Sequence, residues 1–113
     1  MRLAGKVWGQ TEEVFVTPAF ELHRLEIVGG HQCSKHLHAT KYNGFFVESG
    51  EIVVSVWQPE GTLDTTTLEA GDHMVIPPGR QHRFEGIANV SVVYEAYWTE
   101  LQRSDIVRAD TGQ

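Results

Sequence analysis

His36 and His38 stand two residues apart in the stretch Gly30 to Gly50, GHQCSKHLHATKYNGFFVESG. In an extended chain, residues i and i+2 point to the same face. Two imidazoles on one face can hold a metal ion between them. A second stretch, Gly71 to Gly86, reads GDHMVIPPGRQHRFEG and brings a third imidazole, His82, just after a Pro-Pro-Gly turn. The expected chemistry is that of a divalent transition metal held by histidine. Mn, Zn, Fe, Co and Ni all suit imidazole, so the residues do not choose among them. Asn43 is a candidate fourth donor through its carbonyl oxygen. A neutral ligand set leaves positive charge on the metal, which favours an anionic or bidentate oxygen ligand, and open positions allow Lewis-acid work.

Other side chains are candidates to work beside that metal. In Phe20 to Val28, FELHRLEIV, one phase holds His23, Leu25 and Ile27. If that phase faces inward, His23 enters the interior. In Val90 to Trp98, VSVVYEAYW, Glu95 and Tyr97 share a phase within an otherwise apolar strand. A buried carboxylate with a raised pKa is a general base, and a tyrosine hydroxyl can bond a substrate. His23, Glu95 and Tyr97 are therefore the catalytic candidates. Lys41, Arg80 and Arg108 are candidates for holding a phosphate or carboxylate, Arg as a fork and Lys as a point charge. Cys33 has no base adjacent to it and reads as a small buried residue.

The elements that must position these groups are strands. Expected strands cover Val14–Val16, Phe20–Val28, Cys33–His38, Phe45–Val47, Glu51–Gln58, Thr62–Leu68, His73–Ile76, Gln81–Phe84 and Val90–Trp98. Thr17-Pro18, Gly29-Gly30, Ala39 to Asn43, Ser49-Gly50, Pro59-Glu60-Gly61, Glu69 to Asp72 and Pro77-Pro78-Gly79 supply the turns. Residues 1–13 read as an N-terminal arm in which Trp8 lies across a barrel end, and 99–113 as a tail with a helical turn at Glu100 to Arg103. Many short strands with turn signals about every ten residues predict an all-β sandwich or barrel.

Composition narrows the function. The chain has 113 residues, enough for a single domain, and 41% hydrophobic residues, enough for a core. Nine Lys and Arg against 15 Asp and Glu give a net charge of -6, which argues against nucleic acid as a partner. One cysteine permits no internal disulfide, and MRLAGKVWGQTEE lacks an apolar run of signal-peptide length. No segment approaches a membrane span. A cytoplasmic location, with no membrane partner, is the expectation.

The pattern resembles the cupins. Their first motif is matched by Gly30, His36, His38 and Gly50, with Asn43 where the family has Glu. Their second is matched by Gly71, Pro77, Gly79 and His82, with Gly86 where the family has Asn. The resemblance implies a double-stranded β-helix, the cupin jelly-roll barrel, as one domain over 1–113. It also implies a homodimer, since cupins commonly pair. A narrower likeness, to the mannose-6-phosphate isomerase type of cupin, rests on Trp8-Gly9, Ser34, Val47, Ser49-Gly50 and Asp105 to Arg108. It implies a sugar or sugar-phosphate isomerase in which His23 or Glu95 moves a proton between adjacent carbons. Two other readings stand beside it. One is a three-histidine, iron-dependent dioxygenase. The other is a non-catalytic module that binds a small molecule or a metal.

Overall fold

The computed structural model describes residues 2–100 and 104–112. Nine strands follow one another: β1 (Arg2–Lys6), β2 (Gly9–Val16), β3 (Phe20–Val28), β4 (Tyr42–Ser49), β5 (Glu51–Trp57), β6 (Leu63–Glu69), β7 (His73–Ile76), β8 (His82–Gly86) and β9 (Val90–Trp98). Six form one antiparallel sheet in the order β1-β2-β3-β9-β4-β7. Three form a second sheet in the order β6-β5-β8. The two sheets face each other as a jelly-roll barrel, and no helix occurs among the described residues. None is therefore long and apolar enough to cross a membrane.

The strands alternate as a barrel wall must. In β5 the inward set Ile52, Val54 and Val56 is buried while Val53, Ser55 and Trp57 are half-buried. In β3 Leu25 and Ile27 point in, and in β9 Ser91, Val93 and Glu95 do. Leu25, Val47 and Val93 meet at one level, since Val93 pairs with both Leu25 and Val47. Phe84, Leu68 and Ile76 complete the core.

Two glycines are required by close approach. Gly50 has φ +90°, and a Cβ there would stand 2.3 Å from the Ser91 Oγ. Ser91 uses that hydroxyl to bond both the N–H and the carbonyl of Glu51, which pins the passage from one sheet to the other. Gly86 lies where the end of β3 crosses β8, and a Cβ there would stand 2.7 Å from the Val28 carbonyl oxygen. This crossing explains why position 86 carries glycine.

Three expectations need correction. Residues 2–13 are not an arm: β1 and β2, the latter running on through the expected strand Val14–Val16, pair as a hairpin that extends the larger sheet. Cys33–His38 is not a strand. The chain here is bridged to β8 at Gln32–Glu85 and His36–His82, four residues against three, so one residue is extra. At the irregularity the Phe84 N–H donates to the Cys33 Sγ at 3.2 Å. Tyr42 and Asn43 belong to β4 rather than to a turn. The helical turn expected at Glu100 to Arg103 lies, but for Glu100, outside the described residues.

Candidate metal centre and adjoining cavity

The bridge between His36 and His82 builds the centre. The His36 N–H donates to the His82 carbonyl at 3.1 Å, and the His82 N–H donates back at 2.8 Å. The Gly79 N–H donates to the His38 carbonyl at 2.8 Å and ties the Pro-Pro-Gly turn to the same segment. One ligand atom from each of His36, His38 and His82 can be chosen so that all lie within 4.8 Å of one another. The i, i+2 argument thus reaches the right pair through a bulged segment instead of a regular strand.

The donor set fits a metal ion. His36 Nδ1–H donates to the Ser34 carbonyl at 2.7 Å, and His82 Nδ1–H donates to the Arg80 carbonyl at 2.9 Å. Each bond fixes a tautomer and leaves Nε2 with its lone pair. His38 Nε2 is buried and has no hydrogen-bond partner. Asn43 is held by its amide: Nδ2 donates to Glu95 Oε2 at 3.3 Å and to the Ala96 carbonyl at 3.2 Å. Both partners are acceptors, so Oδ1 must face the other way, and it stands 3.0 Å from His82 Nε2. In the neutral ring protonated at Nδ1, two lone pairs then face each other, and a cation beside them would satisfy both. Two donors each about 2.1 Å from one ion at right angles stand about 3.0 Å apart, so the spacing suits a shared ion.

Electrostatics keep the imidazoles ready. Burial, then the neighbouring His36 and His82, push the His38 pKa down to about 4. Burial also pushes His82 below the ordinary histidine value, against the opposing bond to Arg80. Ring nitrogens that shed their protons easily are available as ligands at neutral pH.

Behind Asn43 lies a buried acid. Burial raises the Glu95 pKa, and the bonds from Tyr97 and Asn43 only partly offset it. Burial and the nearby Glu95 raise Tyr97 as well. The Tyr97 ring lies 4.8 Å from the His38 ring and 5.7 Å from the His23 ring. His23 Nε2 meets Glu21 Oε1 at 3.2 Å, and Lys41 donates to Glu21 Oε2 at 2.7 Å. That Lys41 bond is the main reason the Glu21 pKa is lowered.

A cavity of about 330 Å³ adjoins this cluster. His23, His36, Glu95 and Tyr97 line one part, and Lys6, Trp8, Thr11, Cys33 and Ser34 line much of the rest. Trp8 is buried and meets Phe84 edge-on, with ring centroids 4.9 Å apart. Burial raises the Cys33 thiol pKa, so it stays protonated.

The structure therefore gathers His23, His36, His38, Asn43, His82, Glu95 and Tyr97 into one region. It does not bring Arg80 and Arg108 there. Arg80 donates to Gln58 and lines a different cavity, of about 480 Å³, with Asp64, Thr66 and Ile76. Its backbone carbonyl, not its guanidinium, serves the centre. Arg108 is exposed in the tail and lines none of the cavity around His36. Lys41 is near the centre, but its ammonium is engaged by Glu21. Sequence reasoning missed Glu21, Lys6, Thr11 and Ser34. Glu21 shares the inward phase of His23, which is the signal that could have found it. Lys6 and Thr11 reach the cavity only because the first two strands form a hairpin.

Comparison with known proteins bears on the fold. The family described as Cupin domain matches residues 23–100. Comparison with curated protein sequences gives no match. Among solved structures, KdgF from Halomonas sp. is similar over 89% of this chain and 90% of its own, with TM-score 0.76 and 18% identity. The cupin domain of Schizosaccharomyces pombe Cnp3 is similar over 88% of this chain and 69% of its own, with TM-score 0.75 and 17% identity. Bacillus subtilis oxalate decarboxylase, described with Mn(II) centres, is similar over 87% of this chain and 27% of its own, with TM-score 0.78 and 14% identity. These likenesses concern the fold.

Proposed function

The chain belongs to the cupin domain family, and from that premise we propose a metal-dependent enzyme that moves a proton between adjacent carbons of a small polar substrate. His36, His38 and His82 would hold one divalent transition metal (Mn, Zn, Fe, Co or Ni), with the Asn43 carbonyl oxygen beside them. When bound, such a metal supplies a Lewis acid that polarises a carbonyl or hydroxyl oxygen. A manganese centre in the structurally similar oxalate decarboxylase supports a metal in this fold.

The observation that carries the reading is the line His82–Asn43–Glu95. One amide links an imidazole of the centre to a buried carboxyl. Glu95, raised by burial, can take a proton from carbon and return it to the neighbouring carbon. Tyr97, raised and therefore protonated, donates its hydroxyl hydrogen to a substrate oxygen. His23 sits between Tyr97 and the Glu21–Lys41 pair and gives protons a route toward the rim. Trp8 and Phe84 close one side and exclude water. Sugar isomerisation is the most concrete form. The cavity favours short-chain hydroxycarbonyl compounds over a hexose phosphate, whose phosphate would lie outside it.

The test is exchange of the substrate C–H with deuterated water, followed by NMR on a panel of small aldoses, ketoses and hydroxycarbonyl acids with each metal supplied. Glu95→Gln should slow exchange about 10²- to 10⁴-fold. No exchange with any metal overturns the proposal. A second reading follows from the cluster itself, which contains three neutral histidines and no carboxylate. It is a ferrous dioxygenase, and oxygen uptake that requires iron would select it. Tight binding without change of the ligand would select a binding module. We also propose that two copies pair, and sedimentation at several concentrations reads that state.

A further inference from the structure

The cavity beside the centre carries a cation that the proton-transfer reading does not use. Lys6 lines it from the end of β1. Among the described residues no carboxylate lies within 4.0 Å of its ammonium. Lys41, the other lysine near the site, is already paired with Glu21 at 2.7 Å. The remaining wall near Lys6 offers the Thr11 and Ser34 hydroxyls and the apolar Trp8, Leu25 and Phe84. Among the described residues Glu95 is the only carboxyl in the lining, which it shares with His23, His36 and Tyr97. Lys6 is exposed at this cavity, and its ammonium, with no carboxylate within 4.0 Å among the described residues, is free to attract an anion.

The size and charge of that anion follow. A cavity of about 330 Å³ holds roughly ten non-hydrogen atoms at the ~30 Å³ of a water-sized group. One ammonium balances one negative charge. Among the described residues no arginine lines the cavity to fork a phosphate, and no helix offers an N-terminus for one. We propose that Lys6 is a specificity-determining residue, binding the far carboxylate of a small hydroxy- or oxo-acid whose oxygen-bearing carbons reach the histidine cluster. This rests on the proton-transfer reading for what happens to the substrate, and on Lys6 alone for which substrate is chosen. It also gives the β1–β2 hairpin a task, since the hairpin brings Lys6 and Trp8 to the same cavity.

Calorimetric titration of the full chain with glycerate, glycerol and glycerol 3-phosphate separates the cases, because the three share a backbone and differ in their charge. Each is run on metal-loaded and on metal-free protein. The wild type should prefer glycerate. Lys6→Gln should weaken glycerate about tenfold, Lys6→Arg should restore most of it, and glycerol should bind both proteins alike. Glycerate binding that ignores the substitution overturns the inference. So does a Lys6-dependent preference for glycerol 3-phosphate. Metal content is read on the same samples. A protein that takes up no metal sinks the metal-dependent reading, while the Lys6 comparison on metal-free protein still decides this one.

Discussion

The two ends of the barrel are built from the same strands and do opposite things. Along β3 the inward residues run Ile27, Leu25, then His23 and Glu21. Along β9 they run Ser91, Val93, then Glu95 and Tyr97. Along β4 they run Val47, Phe45, then Asn43, and along β8 Phe84, then His82. In each strand the interior changes from mainly apolar to polar within two residues. The registers align these changes: Glu95 pairs with His23, and Tyr97 pairs with both Glu21 and Asn43. The apolar end is close-packed and supplies stability. The polar end holds a cavity, an orphaned imidazole nitrogen and a buried acid, each of which costs stability. The division teaches that the fold is held at one end so that it can carry strain at the other.

Breaking the apolar end should have the largest effect on the molecule. Leu25 is fully buried in the core, and Leu25→Ala should cost about 2–5 kcal/mol through lost burial and the cavity left behind. Against a typical total of about 5–15 kcal/mol that is a large fraction. Denaturant unfolding checks it. The fraction that stays folded should still bind metal at full stoichiometry. Loss of metal in step with the core would dissolve the distinction between the ends.

Breaking the polar end should do the reverse. His82→Ala should lower metal affinity by about 100-fold or more, beyond the 10–100-fold typical of residues that only orient ligands. Metal analysis by mass spectrometry after dialysis reads this. The metal-free variant should unfold near the wild-type midpoint, because the ring it removes is a buried polar group rather than packing. Asn43→Leu sharpens the same contrast. It removes the amide between His82 and Glu95, and an affinity loss of about 10–100-fold is expected. Unchanged affinity would mean that the Asn43 oxygen takes no part in the centre.

The apolar end was the more legible in the sequence. Apolar and β-branched runs bounded by turn residues located β3, β7 and β9 to the residue and β5 and β6 closely. His36 and His38 were legible because their spacing encodes a shared face, and His82 because it follows the Pro-Pro-Gly turn of a second segment. Alternation also put His23 on the inward phase. What alternation cannot show is a long-range pairing. The hairpin of residues 2–16 is invisible to it, because β2 has few apolar residues and its partners are β1 and β3. The segment 33–38 reads as a strand because its one extra residue depends on β8, fifty residues away. Arg80 was misread for a related reason. A charge next to a motif says nothing about which side of the backbone it leaves, and here the guanidinium leaves toward Gln58.

The smallest effect, and the most discriminating, is the pH dependence of the metal-free protein. His38 and His82 have pKa values below the ordinary 6.5 in the folded chain. The unfolded chain binds their protons more readily, so their contribution to stability is present above about 6.5 and is lost as pH falls toward 4. Glu95 has the opposite sign. Its folded pKa lies above 4.5, so its contribution is complete below 4.5 and is lost as pH rises through the raised value. Between 4.5 and 6.5 the one carboxyl opposes the two histidines and reduces the slope they produce. Glu95→Gln removes the falling limb and keeps the amide bonding capacity toward Asn43 and Tyr97. Its stability should climb from pH 4 to 6.5 and then level, and it should gain on the wild type as pH rises through the raised Glu95 value. Urea midpoints at half-unit intervals from pH 4 to 8 provide the comparison, and taking the difference between the two proteins cancels every other carboxylate. Parallel curves would mean that Glu95 ionises like an exposed acid, and the polar end would lose its base.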